Sequence, residues 1–505
     1  MQTGYVLLAT IALPLLTAAA LIIVPSRYAN IVRALALATG FALFGLSLYA
    51  FFAYQLASGD AFQFDLRWTW IENVGFLGKD GITLHLGIDG IGATMVLLNG
   101  VVTFAGTIIS CKIEYRNKDF FILFFVLVSG VFGVFVSLDL FFWFFFYELA
   151  VLPMYLLIGV WGASSVFPTF SRTKEYGALK LTLYLVGASV LIFIGIFAIF
   201  IEAGLGTFDL PTLWAHADQG GFDPNFQKIV FPLFVIGCGV LAGLWPFHTW
   251  SPDGHVAAPT SVSMLHAGVL MKLGAFGIIR LGMQLLPEGA QFWMPMLITL
   301  GTINVVYGAV SAMAQTDFKY MVGYSSVSHM GYVLMGLATL NPIGVNRAVL
   351  QMFSHGVMTA LMFAMVGALY DQAHVREMAV FGGLFKRMPR FAAFFAIAGL
   401  TSIGLPGLSG FVAEFQVFVG TFHTYPALGA LGVLGAAITA VYILRMLAVA
   451  IFGPANERWA GLKEMTRFEM VAGGLLICFI LLLGVFPSIF VDRISESVLS
   501  LPGVS

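Results

Sequence analysis

Charge is scarce in this chain. Asp, Glu, Lys and Arg make up 10% of its 505 residues, whereas soluble domains carry about 25%. Hydrophobic residues make up 60%, with 49 Phe among them. This balance excludes an ordinary soluble protein and predicts an integral membrane protein that crosses the bilayer many times, with lipid around it. The net charge of −1 excludes nucleic acid as a partner, because no surplus of basic residues could attract it.

Cysteine and cofactor signatures are also lacking. The cysteines, Cys111, Cys238 and Cys478, form no C-x-x-C pair, which excludes a disulfide framework, an iron–sulfur cluster and a thiolate metal site. No phosphate-binding glycine loop, dinucleotide fingerprint or haem-ligand pattern is present, and no two histidines have the i, i+4 spacing of a zinc site. We therefore expect the chain to bind no metal and no redox cofactor.

Basic residues are missing from the N-terminal apolar run, and the first is Arg27. A cleaved signal peptide starts with basic residues, so residues 4–24 are predicted to be a retained membrane span. Apolar runs of about 20 residues, the length of a membrane-spanning helix, recur fourteen times. Because lipid offers unpaired backbone groups no partner, we predict an all-α polytopic protein with a single membrane domain, 1–505. The spans are 4–24, 33–55, 88–110, 119–137, 140–161, 180–202, 229–250, 258–280, 293–314, 320–339, 346–370, 390–422, 428–452 and 468–490.

The distribution of basic residues predicts the orientation. Of the 24 Lys and Arg, 17 lie in connections that follow odd-numbered spans and six lie on the opposite side, with Lys272 alone in mid-span. Cytoplasmic connections carry the excess of basic residues. We therefore expect a multi-pass protein of the bacterial inner membrane with both termini on the periplasmic side.

Proline and glycine interrupt two spans. The runs at 241–259 (span 7) and 400–415 (span 12) combine both residues, and helix breaks survive at membrane depth only where protein or water covers them. Interruptions five spans apart predict two inverted five-helix repeats. Spans 4–8 (119–283) would form the first repeat and spans 9–13 (291–452) the second, between spans 1–3 (1–110) and span 14 (468–490). Two unrelated proline kinks are the alternative.

Three ionisable residues lie within apolar spans, where a charge costs about 2.5 kcal/mol or more. Glu148 is nine residues into span 5 with aromatic neighbours, Lys272 is in the middle of span 8, and Glu414 follows the break in span 12. A lysine, unlike an arginine, can give up its proton in an apolar environment. Together the three residues suggest a proton path. The alternatives are a snorkelling Glu148, an ion-paired Lys272 and an interfacial Glu414.

Polar residues along spans 10 and 11 extend this set. His329 and His355 are flanked by serines and lie between Lys272 and Glu414 in chain order, so they are candidate proton carriers or structural hydrogen-bonding groups. His248, in the break of span 7, is a further candidate proton carrier, and the alternative is that it satisfies the carbonyls freed by the break. Asp89 is predicted to cap the helix of span 3, and both Asp317 and Lys319 are expected at a solvated end of span 10.

Six sequence motifs are spread over nearly the whole chain. They are Phe146-Tyr-Glu-Leu-Ala-Val-Leu-Pro-Met-Tyr, Trp245-Pro-Phe-His-Thr-Trp-Ser-Pro-Asp, Leu270-Met-Lys-Leu-Gly-Ala-Phe-Gly, Gln315-Thr-Asp-Phe-Lys, Tyr324-Ser-Ser-Val-Ser-His-Met-Gly and Gly404-Leu-Pro-Gly-Leu-Ser-Gly-Phe-Val-Ala-Glu-Phe. Together they resemble the antiporter-like membrane subunits of respiratory complex I, the NADH:quinone oxidoreductase. The glutamate in span 12, instead of a lysine, and the short tail after span 14 make the chain most similar to the M-type branch of that family.

The resemblance implies two half-channels joined by a central line of ionisable groups. Glu148 would gate the first half, Lys272 would be central, Glu414 would be the exit, and His329 and His355 would link them. It also implies L- and N-type neighbours in the membrane, with NAD, FMN, iron–sulfur clusters and quinone bound by partner subunits.

One position departs from the family pattern. The family has a second lysine in span 7, where this chain has Leu241, with Gly243 where a proline is usual. Glu148 would then lose its cation, and a charged form would be harder to maintain. His266, in place of an apolar residue on span 8, is a candidate proton relay that compensates. Alternative functions are a related subunit of a membrane-bound hydrogenase or a multisubunit Na⁺/H⁺ antiporter, or a scaffold that does not pump.

Overall fold

Long helices form almost the whole structure, a computed structural model that describes residues 4–166 and 171–504. Three π-helical segments, His266–Leu270, Ile278–Met283 and Leu447–Ile451, continue neighbouring helices. The α-helices are α1 Tyr5–Ile23, α2 Ala29–Ala53, α3 Gly90–Ser110, α4 Asn117–Val136, α5 Leu140–Trp161, α6 Lys174–Ala203, α7 Leu210–Asp218, α8 Pro224–Ala242, α9 Trp250–Ala257, α10 Thr260–Leu265, α11 Met271–Gly277, α12 Pro287–Met313, α13 Phe318–Ala338, α14 Pro342–Ala373, α15 Leu384–Arg387, α16 Pro389–Ser402, α17 Ser409–Thr424, α18 Pro426–Met446, α19 Arg467–Val485 and α20 Ser488–Leu499.

Helical membrane spans are the predicted architecture, and the structure agrees with it. Among the described residues, 12 helical stretches are long and apolar enough to cross a membrane. The predicted tenth span is α13, whose Ser, His and Tyr residues lower its hydropathy, and the predicted twelfth span is divided between α16 and α17. The count of fourteen spans and the inverted repeats stay predictions.

The most buried helices lie at the centre of the bundle. In their most apolar stretches, α3 is 94% buried, and both Thr260–Met283 and α14 are 100% buried, whereas α18 is 33% buried. Small residues allow this close packing, and Gly268 and Gly356 bring α14 against the π-helical segment His266–Leu270. A polar side chain on these central helices must therefore find its partners inside the protein.

The first break ends α8 at a glycine. Gly243 has φ +80°, a left-handed conformation that residues with a Cβ rarely adopt. Asn304 on α12 then satisfies the opened backbone: its Nδ2 donates to the Gly243 carbonyl at 2.7 Å and its Oδ1 accepts from the Trp245 N–H at 2.6 Å. The predicted interruption of span 7 is thus an ordered break held by a buried amide.

The second break separates α16 from α17. Gly404 and Gly407 have φ +76° and +91°, and α17 begins again at Ser409. The Ser354 hydroxyl on α14 donates to the Ser409 hydroxyl at 2.8 Å. The predicted break in span 12 is therefore present, and it is attached to the central helix α14.

Two opposite faces of the bundle carry its polar connections. The hairpin face holds an antiparallel pair, β1 Gln63–Ile71 and β2 Ile82–Ile88. The pair occupies the predicted connection 56–87 and the first residue of the predicted third span, where the all-α prediction had no strand. The basic face holds the ion pairs Lys112–Asp371, Arg172–Asp253 and Arg376–Asp317, and a short pair, β3 Ser165–Val166 and β4 Ser171–Arg172. On the hairpin face, Asp89 caps α3 as predicted, accepting from the Gly92 N–H at 2.8 Å.

His85 on β2 connects the hairpin to the helix bundle. Its Nδ1 lies 2.6 Å from the Asp209 carboxylate at the start of α7, and its Nε2 lies 2.7 Å from Asp65 on β1. Burial disfavours the imidazolium, but the hydrogen bonds and charges of the two carboxylates outweigh burial and raise the pKa of His85. Arg67 and Asp80 complete the charged groups around this contact.

The hairpin is expected to loosen as pH rises. Because the pKa of His85 is raised above its usual value of about 6.5, its stabilisation is complete below that value and is lost as pH rises through the raised pKa. Amide hydrogen exchange in β1 and β2, corrected for intrinsic rates, should therefore accelerate at alkaline pH. His85→Gln should abolish this pH dependence, and an unchanged dependence in that variant would contradict the assignment.

Removing the Asn304 amide should destabilise the fold. Asn304→Leu leaves the Gly243 carbonyl and the Trp245 N–H unpaired at a buried break, at a cost of about 1–3 kcal/mol for each group. The midpoint of thermal unfolding of the solubilised protein should fall accordingly. Asn99→Leu is the matched control, because this fully buried amide accepts one hydrogen bond, from the Thr103 hydroxyl at 3.3 Å, while its Nδ2 has no partner among the described residues. An equal shift in both variants would rule out the bridging role of Asn304.

Candidate proton path in the helix bundle

Lys272 lies at the centre of the bundle with 0% of its surface exposed. It is the second residue of α11, directly after the π-helical segment His266–Leu270. A π turn leaves a carbonyl without its helical partner, and the Ala267 carbonyl here accepts from Lys272 Nζ. Nζ also lies 2.7 Å from His355 Nδ1 on α14. A charged Lys272 has only donors, so His355 Nδ1 accepts from it.

Glu414 and His329 form a second close pair. The Glu414 Oε1 atom on α17 lies 2.9 Å from His329 Nδ1 on α13, and Gln351 Nε2 donates to the same oxygen at 3.1 Å. His329 Nε2 lies 2.9 Å from the Ser402 hydroxyl at the end of α16. Glu414 is only 4% exposed, so its carboxylate is held inside the bundle by these partners. The break in span 12 brings both Ser402 and Glu414 to His329.

The two pairs meet at stacked imidazole rings. The rings of His355 and His329 are 5.3 Å apart between centroids and inclined by 27°. Lys272, His355, His329 and Glu414 therefore form one continuous series, called the polar row below. The contacts at its two ends are direct. Among the described residues no hydrogen bond joins the stacked rings, so a proton transfer between them would need an intervening water or a ring movement.

Glu148 lies apart from the polar row. It is half-buried on α5, and its Oε1 atom has no hydrogen-bond partner in the part of the chain that the structure describes. Leu241, the position where the family has a lysine, is fully buried on α8 and supplies no charge. No hydrogen bond or ion pair between described residues joins Glu148 to the row. The structure thus leaves Glu148 without the cation that the resemblance led us to expect.

His248 and His266 lie on the other broken segment and its neighbour. His248 is 2% exposed, and its ring lies 5.0 Å from that of Tyr307. Among described residues neither of its ring nitrogens has a hydrogen-bond partner, so it does not satisfy the carbonyls freed by the break. His266 packs against Trp250, with ring centroids 5.1 Å apart. The structure brings neither histidine into direct contact with Glu148.

Sequence reasoning missed four polar residues around these sites. Gln351 and Ser402 contact the second pair of the polar row, and His255 packs 4.1 Å from His266. Lys319, expected at a solvated helix end, is 3% exposed because its Nζ folds back onto the Ala258 carbonyl at 2.7 Å. The Pro-Asp-Gly-His run preceding α10 could have indicated His255, but Lys319 carries no local signal of burial.

Residues 137–439 match the family described as NADH:quinone oxidoreductase/Mrp antiporter, transmembrane. This chain belongs to that family. The matched segment contains Glu148 and all four members of the polar row, so the residues singled out by the sequence lie in the part that the family shares.

Curated relatives and solved structures agree with the family. Subunit M of a Rhodobacter capsulatus NADH-quinone oxidoreductase is 36% identical over 432 residues, covering 83% of this chain and 82% of its own. A Nostoc NAD(P)H-quinone oxidoreductase chain 4 is 36% identical over 458 residues, covering 89% and 79%. A chain of Thermus thermophilus respiratory complex I superposes with a TM-score of 0.85 at 26% identity, covering 97% and 98%. The chain is thus an antiporter-like membrane subunit similar to subunit M of complex I.

A second solved structure shows how widely the fold is shared. A chain of the Mrp complex from Dietzia has a TM-score of 0.85 at 18% identity, and it covers 99% of this chain and 98% of its own. At that identity the likeness concerns the fold alone. The helix bundle is thus shared by different membrane complexes. The fold therefore does not identify the function, which depends on the residues of the site.

Proposed function

We propose that this chain translocates protons in the membrane arm of a NADH:quinone oxidoreductase, through buried ionisable residues driven by quinone reduction elsewhere in the complex. The observation that carries the proposal is the polar row, in which a lysine, two histidines and a glutamate follow one another in space through the centre of the bundle. Isolated buried ionisable groups are costly in a membrane and normally mark ion or proton pathways.

The row has the chemistry of a proton relay. Lysine can lose its proton, and an imidazole can accept a proton at one nitrogen and release another from its second nitrogen. A proton leaves Lys272 Nζ for His355 Nδ1, crosses to His329, and passes from His329 Nδ1 to Glu414. The polar groups of Gln351 and Ser402 orient the last pair, since Gln351 Nε2 lies against both Glu414 and His329 and the Ser402 hydroxyl contacts His329.

The orientation and the partners follow from charge and from the relatives. We place the basic face in the cytoplasm and both termini on the periplasmic side of a bacterial inner membrane, because basic residues accumulate on the cytoplasmic side. L- and N-type antiporter-like chains would flank this subunit. Electron transfer would remain with partner subunits that bind NAD, FMN, iron–sulfur clusters and quinone, so this chain itself would be non-catalytic.

A scaffold without pumping activity is the second candidate. Leu241 favours it, because a buried leucine replaces the lysine that the family places near Glu148. Under this reading the first half of the pathway is interrupted, while the polar row remains as a structural network. A related subunit of a membrane-bound hydrogenase or an Na⁺/H⁺ antiporter is a further alternative, which identification of the electron donor would decide.

Three substitutions test the pumping function. Glu148→Gln, Lys272→Met and Glu414→Gln each remove an ionisable side chain, so each should lower the number of protons taken up per electron by inverted membrane vesicles. Electron transfer to an artificial acceptor should remain, since that acceptor does not require the membrane arm. A native gel establishes that the complex assembles.

Glu202→Gln is the matched control, because Glu202 is an exposed carboxylate at the end of α6. It should leave the proton-to-electron ratio unchanged. Normal ratios in all three test variants within an assembled complex would reject the relay and favour the scaffold. A loss in Lys272→Met and Glu414→Gln with a normal Glu148→Gln would confine the relay to the polar row.

A further inference from the structure

A cavity of about 430 Å³ opens on the basic face beside the end of α3. Its outer wall includes the ion pair of Lys112 and Asp371, whose side chains are 39% and 40% exposed. Its inner wall includes Ser261 and Lys319, which are 2% and 3% exposed. The cavity thus leads from solvent to a buried amine that the polar row does not use.

Lys319 is placed between this cavity and the break in span 7. Its Nζ donates to the Ala258 carbonyl at 2.7 Å and to the Val256 carbonyl at 3.5 Å, at the end of α9. Within the described ranges no carboxylate lies at ion-pair distance from Nζ, and the neighbouring Asp317 pairs with Arg376 instead. Lys319 Nζ is thus hydrogen-bonded only to carbonyls, with the charges of Arg376, Asp317 and Asp371 acting on it from nearby. A buried lysine without a direct ion pair can gain and lose its proton.

The next residue inward is His255, adjacent to Val256 in the chain. Its ring is fully buried, and its centroid lies 4.1 Å from that of His266. Among the residues described, none of the four ring nitrogens of this pair has a hydrogen-bond partner. Buried polar atoms are nearly always satisfied by protein or water, so water is the partner that these four nitrogens would take in the route proposed below.

The histidine pair continues to Lys272. His266 starts the π-helical segment, and the carbonyl of the next residue, Ala267, accepts from Lys272 Nζ. Lys319 and Lys272 both lie within electrostatic range of His255. The pair therefore bridges the amine at the cavity and the amine at the head of the polar row.

We propose that this cavity is the proton-uptake vestibule of the subunit, and that Lys319, His255 and His266 carry protons from it to Lys272. At each step an N–H bond breaks on the donor and forms on the acceptor, directly or through water, and the donor returns to its starting form when the next proton arrives. The proposal rests on the proposed pumping function. On this route protons reach Lys272 from the basic face, and the lysine that the family has in span 7 is not needed.

Two substitutions of Lys319 separate a proton carrier from a structural cation. Lys319→Arg keeps the charge and can donate to the same carbonyls, but arginine does not release its proton. We expect Lys319→Arg and Lys319→Met to lower the proton-to-electron ratio of inverted vesicles by the same amount as Lys272→Met. A normal ratio in Lys319→Arg would overturn the uptake route.

The outcomes also distinguish this route from the pumping function itself. A normal ratio in Lys272→Met overturns both. A lowered ratio in Lys272→Met together with a normal ratio in Lys319→Arg overturns the route and leaves the pumping function standing.

Plugging the cavity gives a test that needs no change in the buried residues. Thr260 is half-buried and lines the cavity, so Thr260→Cys can be modified from the basic face of inverted vesicles by a membrane-impermeant methanethiosulfonate. Cys111 and Cys478 are first replaced by serine, whereas Cys238 is fully buried. Modification should lower the proton-to-electron ratio without lowering electron transfer to an artificial acceptor.

Thr316→Cys is the matched control, because Thr316 lines a separate cavity of about 120 Å³ on the same face. Its modification should leave the ratio unchanged. Failure of the reagent to modify Thr260→Cys, or complete modification with an unchanged ratio, would overturn the vestibule. Equal inhibition in the control would do so as well, because the effect would not be specific to this cavity.

Discussion

The cost of unpaired polar groups in a lipid-filled environment governs this structure. Lys272 is fully buried, so its ammonium depends on the Ala267 carbonyl and on His355 for every favourable contact. The same cost acts on the backbone wherever a helix opens, because hydrocarbon offers no replacement hydrogen bond. Both problems are solved inside the bundle, where neighbouring helices carry the buried polar side chains that bind the ammonium and the opened backbone.

The broken helices therefore have two roles. They let side chains reach the centre of the bundle, and they create polar backbone that other helices must bind. At the first break Asn304 binds Gly243 and Trp245, while at the second the end of α16 brings Ser402 against His329. A continuous helix would leave less room for water and fewer polar groups around the same residues.

The two halves of the chain differ in how completely their ionisable groups are connected. The polar row joins Lys272 to Glu414 through contacts at both ends, whereas Glu148 has no such connection and Leu241 removes its expected cation. The buried pair His255 and His266 lies within electrostatic range of Lys272 and Lys319, and Lys319 lines a cavity on the basic face. The proposed uptake route supplies Lys272 from the basic face in addition to any contribution from Glu148, which makes the departure at Leu241 compatible with a working pump.

Sequence alone determined the membrane class, the helical character of the spans and the two breaks. It also singled out Glu148, Lys272, Glu414, His329 and His355 as candidates, because a charge, a histidine or a proline in an apolar run is a local signal. Tertiary structure alone decided which of these residues meet. His355 and His329 stack because α13 and α14 pack side by side, and Lys319 is buried because its side chain turns onto the end of α9. The strands of the hairpin also escaped prediction, since their pairing depends on partners distant in the chain, such as His85 with Asp209. A local sequence pattern shows that a polar group lies in an apolar segment, where its burial is unfavourable. Only the packing of the helices decides which partner stabilises that group.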